Sequence, residues 1–171
     1  MLRNRKVQYA ILGGGLPVLL ALLVWQILPA ERRPSPDQLA RQALEAATPA
    51  EQEVAAVRLA ELGTDAKDHL RQVLTESQSA AVRAACIRGL AAQWDYDTMP
   101  MLLDALEDPS PLVRGRAGVA VQRLLGADFG FRCDDPPEKR GMVVKRLRQE
   151  WERVKDTPAM QQWQRRQQSE P

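Results

Sequence analysis

Residues 81–91 read AVRAACIRGLA, a helix-length run in which the only charged residues are two arginines among small and aliphatic side chains. Two other stretches share that make-up: 53–63, EVAAVRLAELG, and 112–126, LVRGRAGVAVQRLLG. Aligning them on Val54, Val82 and Val113 gives two similar intervals, the second slightly the longer, with an apolar residue eight positions further on in each case: Leu62, Leu90 and Val121. A period in the range of about 20–50 residues signals a solenoid. A helix that is apolar or small over most of its circumference must be covered on several sides, and a unit whose face only its neighbour covers is stable as a stacked array. The expected fold is all-α, a short α-solenoid of helical hairpins.

Between these runs lie helices with a single apolar stripe, suited to a layer that packs inward and faces water outward. Ala66, Leu70, Val73, Leu74 and Ser77 form one such stripe, and Met99, Leu102, Leu103 and Leu106 form another within Thr98 to Asp108. Start signals precede the helices as a capping hydroxyl with proline at the first helical position: Ser35, Pro36 and Gln38; Thr48, Pro49 and Glu51; Ser110 and Pro111. Thr64 or Asp65 is expected to cap the helix that follows Gly63, and Gly63 and Gly126 stand at stop positions. The helix near residue 35 is expected to cap the array. Phe129 and Phe131 are too apolar for a solvated loop and are expected to fold onto the end of the stack. Val143, Val144, Leu147 and Trp151 share one side of the helix after Pro137, with Trp151 as the terminal plug. Gln161, Gln162, Gln164, Gln167 and Gln168 mark a polar tail read as frayed helix or disorder.

The N-terminus has a different character. Val7 to Leu28 carries no charged side chain and is flanked by Arg3, Arg5 and Lys6 before and Glu31, Arg32 and Arg33 after. As a helix rising about 1.5 Å per residue it reaches roughly 33 Å, enough to cross a hydrocarbon core of about 30 Å. A cleaved signal peptide has a shorter apolar region and a small-x-small exit, whereas the exit here is Leu28, Pro29, Ala30, Glu31. An uncleaved single-pass signal anchor is the favoured expectation, with the N-terminus inside and the repeats outside the cytoplasm. The chain then divides into a basic flank (1–6), the span (7–28), a Pro-rich linker (29–36), the repeat domain (37–154) and a Gln-rich tail (155–171).

The net charge of +2 comes from the flanks. Removing Arg3, Arg5, Lys6, Arg32 and Arg33 from 24 basic residues and Glu31 from 22 acidic ones leaves 19 against 21 beyond Pro34. A near-neutral domain is not built for nucleic acid, which calls for a basic stripe. Cys86 and Cys133 make no disulfide framework. His69, the single histidine, has no Cys or His at metal-ligand spacing, so no metal and no cofactor are expected. Asp134 and Asp135 beside Cys133 disfavour a reactive thiolate.

The repeat pattern resembles the HEAT-repeat family, in particular its short bacterial version also found in phycobilin lyases. The resemblance covers about residues 48–154 and rests on Asp108, Pro109, Leu112, Val113, Arg114, Ala117 and Val121 in the third repeat and on Val82, Arg83, Ala85 and Leu90 in the second. It implies that the arginine after the valine reaches a carboxylate or carbonyl in the inter-repeat turn, Arg114 with Asp108 and Arg83 with Glu76 or Asp108. Repeat one departs from this, since Ala55 takes the arginine position. The resemblance further implies a non-enzymatic scaffold or adaptor that binds another protein, with a tetrapyrrole lyase-like role as the alternative. A structural accessory subunit of a membrane complex, packing through Gly13 to Gly15, is a third reading. Lys67, Arg71, Asp104, Glu107, Arg140, Lys145 and Arg148 are the expected partner-contact positions.

Overall fold

The computed structural model describes residues 34–169, which form eight α-helices and no strand. In chain order these are α1 (Pro36–Glu45), α2 (Pro49–Glu61), α3 (Lys67–Glu76), α4 (Ala80–Ala92), α5 (Met99–Ala105), α6 (Pro111–Leu125), α7 (Pro137–Val154) and α8 (Pro158–Ser169). Short 3₁₀ turns at Gly63–Ala66 and Tyr96–Thr98 lead into α3 and α5. The expected span Val7–Leu28 lies outside the described residues, and among those described no helix is long and apolar enough to cross a membrane.

Helices α2, α4 and α6 lie side by side in one layer, while α3 and α5 pack against α4 and α6 in a second. α1 closes the first end by packing on both α2 and α3, and α7 packs on α5. Between the layers Leu59, Leu70, Ile87, Leu90, Leu102 and Leu124 are removed from water, each worth about 1.5–3 kcal/mol of transfer free energy. The first layer is close-packed because its contact residues are small: a Cβ placed on Gly89 would stand 2.6 Å from the Cβ of Ala60. Gly126, at φ 68°, ends α6 in the left-handed region where glycine carries no steric penalty.

The caps reveal the register of the array. Ser35 and Gln38 form a reciprocal capping box on α1, as do Thr48 and Glu51 on α2. The residues preceding α2, α4 and α6 are Thr48, Ser79 and Ser110, and the two intervals between them are identical. Counted from those caps, the buried positions align as Ala55, Cys86 and Ala117, and as Leu59, Leu90 and Val121. This corrects the alignment on Val54 and Leu62. Val82 and Val113 are fully buried but Val54 is 50 % exposed, and its place in the repeat belongs to Glu51. A shift of three positions rotates a helix of 3.6 residues per turn by only about 60° from its starting phase, so the apolar pattern looks nearly unchanged.

The same register explains the turns. Arg83 donates through Nε and Nη2 to the two carboxylate oxygens of Asp108, both at 2.9 Å, and through Nη1 to the carbonyls of Ser77 and Gln78. Arg114, one repeat later, donates to the carbonyls of Asp108 and Pro109 and reaches the carbonyl of Cys133 with its Nε. In repeat one the equivalent residue is Gln52, not Ala55, and its amide donates to the carbonyls of Ala46 and Leu44 at 3.1 and 3.4 Å. Asp108 also accepts from the Ser110 amide, a turn contact that Ser77 makes to the Ser79 amide one repeat earlier. Ser110 itself forms no side-chain cap, and neither Thr64 nor Asp65 caps α3, because the chain enters that helix through the 3₁₀ turn instead.

At the C-terminal end Phe129 and Phe131 lean half-buried on the core, and Phe131 lies so close to α6 that a Cβ on Gly118 would stand 2.9 Å from its ring. Val144, Leu147 and Trp151 are buried beneath α7, with Trp151 8 % exposed. The tail differs from its expectation as frayed or disordered chain. Pro158–Ser169 is a helix, anchored by Trp163, whose indole Nε1 donates to the carbonyl of Leu124 at 3.1 Å and whose ring meets Trp94 edge-on at 6.4 Å. Arg123 covers the Trp94 ring, 4.4 Å from its centroid.

Chemical denaturation of the helical domain tests this packing at five positions. Gly89→Ala should destabilise by about 1–3 kcal/mol, the overpacking cost outweighing the gain in helix propensity; an unchanged midpoint would mean that α2 and α4 separate easily. Trp151→Ala should cost about 3–5 kcal/mol through the cavity it leaves. Trp163→Ala should cost about 1–2 kcal/mol from the lost aromatic pair and hydrogen bond, where a free tail would register nothing. Asp108→Ala should cost about 3–5 kcal/mol because it strands the largely buried Arg83 charge, whereas Gln52→Ala, which removes a neutral donor, should cost about 1 kcal/mol.

Candidate functional site

The seven positions expected to meet a partner fall on the second layer and its continuation, and the structure puts most of their charge to internal use. On α3, Arg71 donates from Nε and Nη2 to the buried carboxylate of Asp95 at 2.9 and 2.5 Å, and from Nη1 to Asp68 at 2.8 Å. Its Nε also reaches Thr98, whose hydroxyl donates in turn to Asp95. The Asp95 carboxylate raises the guanidinium pKa above its ordinary value. Arg71 thus ties α3 to the turn before α5. Arg148 on α7 pairs with Asp104 at 2.6 Å and with Glu107 at 3.8 Å, which brings three of the expected residues together as a clasp between α7 and the segment from α5 into the following turn. Arg140 donates to the carbonyl of Asp135 at 2.5 Å. Lys67 and Lys145 have no ion pair among the described residues; Lys67 is half-buried and Lys145 exposed.

His69 is a surface residue with a task. Its Nε2 stands 2.9 Å from Asp37 and links α3 to the capping helix α1. That hydrogen bond and the accompanying charge hold the Asp37 carboxyl below the usual aspartate value. Burial pushes the Cys86 thiol up to about 12 and the Tyr96 phenol up to about 12, so both are neutral packing groups. Cys133 is half-buried over Gly115, 3.6 Å from where a Cβ would stand, at the edge of a cavity of about 190 Å³ that Phe129 and Phe131 also line. Among the described residues no three of His, Cys, Asp or Glu converge as a metal-ligand set.

The other side of the molecule is open. Of the four large apolar residues with high exposure among the described residues, Val54, Leu112 and Val119 belong to the first layer and Met142 to α7. A hollow of about 440 Å³ lies between α1 and α2, lined by Gln42, Ala46, Ala50, Val54 and Arg58 among others. A smaller one of about 80 Å³ crosses α4 between Glu53 on α2 and Leu112 and Arg116 on α6. The sequence gives no warning of this side because its residues read as core. Helical periodicity marks an apolar face; it does not say that a taller neighbour leaves part of that face uncovered.

Among curated proteins nothing matches this chain, and no solved structure does. Residues 67–128, from the start of α3 to the loop after α6, match the family model described as HEAT repeats, so the stacked hairpins at the centre of the array are similar to that family.

Proposed function

We propose that this chain is a membrane-tethered scaffold that holds another protein on its helical array and performs no catalysis. The observation that carries the reading is the evenly spaced stacking of α2, α4 and α6, which builds one extended surface out of units that cannot stand alone. HEAT repeats generally mediate contacts between proteins, and the match over residues 67–128 supports the same use here. The ionic groups of the turns and the second layer, Arg71 with Asp95 and Arg83 with Asp108, join one helix to the next and so act as structural links.

The tether is Val7 to Leu28, uncharged and long enough to span, followed by a proline-rich linker that ends where α1 is capped. With Arg3, Arg5 and Lys6 on the cytoplasmic side, the array stands outside the cytoplasm. Washing membranes with alkaline carbonate should leave the full-length chain in the pellet. Release of a chain trimmed near Ala30 would overturn the tether. Purification of the full chain in mild detergent should retain a second polypeptide in fixed proportion, and a chain that elutes alone under those conditions would overturn the scaffold.

A further inference from the structure

In the register set by the caps the outward positions of the three first-layer helices correspond one to one. On α2 they are Ala50, Glu53, Val54 and Val57; on α4, Ala81, Ala84, Ala85 and Arg88; on α6, Leu112, Gly115, Arg116 and Val119. The middle helix is floored with alanine for its first two turns, while Glu53 and Val54 on one side and Leu112 and Arg116 on the other are larger. Val54 is 50 % exposed, Leu112 47 % and Val119 63 %, whereas Ala84 and Ala85 are 6 % exposed. The outcome is a trough with α4 as its floor, and Glu53, Arg88, Leu112 and Arg116 meet over that floor in one hollow.

Its dimensions and its charge select an occupant. Helices pack about 8–10 Å between axes, so the axes of α2 and α6 lie about 16–20 Å apart, and one helix of about 10–12 Å diameter laid over α4 rests on the layer in contact with the side chains of both neighbours. An alanine floor allows the closest axial approach. An extended peptide laid there would find no backbone donors or acceptors for its own amides, since those of α4 are bonded within the helix. Arg88 and Arg116 have no ion pair among the described residues, which is also true of Arg41 and Arg146 elsewhere on the surface; what sets the first two apart is that both line the hollow over α4. Among the described residues Glu53 is the only acid on the central hollow, against two guanidiniums. Desolvating those guanidiniums beneath a partner requires carboxylates.

We propose that the trough formed by α2, α4 and α6 is the docking site for a single amphipathic helix of a partner protein, its aliphatic stripe seated against Ala81 and the exposed Val54, Leu112 and Val119 and its flanking carboxylates paired with Arg88 and Arg116. This rests on the scaffold reading and specifies the face and the partner's chemistry.

The test places a photoreactive residue at Leu112, on the trough wall, and separately at Lys145, on α7, in the full-length chain in its native membranes. Irradiation should cross-link position 112 to one other polypeptide, and peptide mapping should locate the joint in a helical segment bearing Asp or Glu. Arg88→Glu and, independently, Ala81→Gln, which raises the floor without adding charge, should each reduce the yield at least about tenfold, the loss expected when a buried charge pair or a close fit is broken. Arg88 is exposed and Ala81 half-exposed, and an unchanged thermal midpoint establishes that the fold is intact in each variant. Cross-linking from position 145 alone would overturn the trough and leave the scaffold standing. Silence at both positions, together with a chain that purifies alone, would overturn the scaffold too. A joint to lipid, to a second copy of this chain or to a segment without acidic residues would overturn the proposed occupant.

Discussion

The rest of the domain depends on how closely α2, α4 and α6 approach one another. That approach requires Gly89 opposite Ala60 and small residues at Ala55, Ala56, Cys86 and Ala117, all buried. Larger side chains would push the layer apart, and the second layer could no longer reach across it. With the first layer closed, each second-layer helix needs only one apolar stripe, and its remaining side chains are free to be polar. The difference in composition between the layers is therefore a consequence of distance: the inner contacts are short and take small groups, while the bulky leucines fill the wider seam between layers.

Side-by-side packing of smooth helices leaves their axial register poorly determined, since small residues interlock weakly. The turns supply what the packing lacks. Arg83 grips the turn before its own helix and the carboxylate of the next, so one side chain fixes two adjacent units in register. At the third repeat the following turn is longer, and Arg114 finds a carbonyl where a carboxylate stood. At the first, Gln52 grips only backward, which suits a unit whose forward turn carries Ser77 in place of an aspartate. The grip weakens towards the ends, where α1 on one side and α7 on the other replace it with apolar cover.

Much of this architecture was legible in the residues. Capping at Ser35 and Thr48, the stop at Gly126, the inward lean of Phe129 and Phe131 and the burial of Trp151 are local signals, carried by a few neighbouring side chains. Other features were not legible. Val54 looked like Val82 because a helical pattern tolerates a slip of three positions, and only the cap at Thr48 distinguishes the two phases. Arg71 looked like a free surface charge because its carboxylate, Asp95, is distant in sequence and buried in a turn. The open trough escaped notice for a related reason: exposure is a property of neighbours, and Leu112 and Val119 are apolar residues that their neighbours fail to cover.

The docked C-terminal helix bears on the order in which the domain assembles. Most contacts in such an array join segments adjacent in sequence, which closes short loops, favours fast folding and lets formation begin at any repeat. Some contacts break that locality, among them Trp163 to Leu124 and Trp94 and Arg148 to Asp104, each joining segments well over a repeat apart. The docking of Trp163 requires α4 and α6 to be in place already, because the indole sits against Gly126 and Trp94 together, while the Arg148 pair requires α5 and α7. Until α8 is added, therefore, Trp94 and the end of α6 lack the cover that Trp163 gives them.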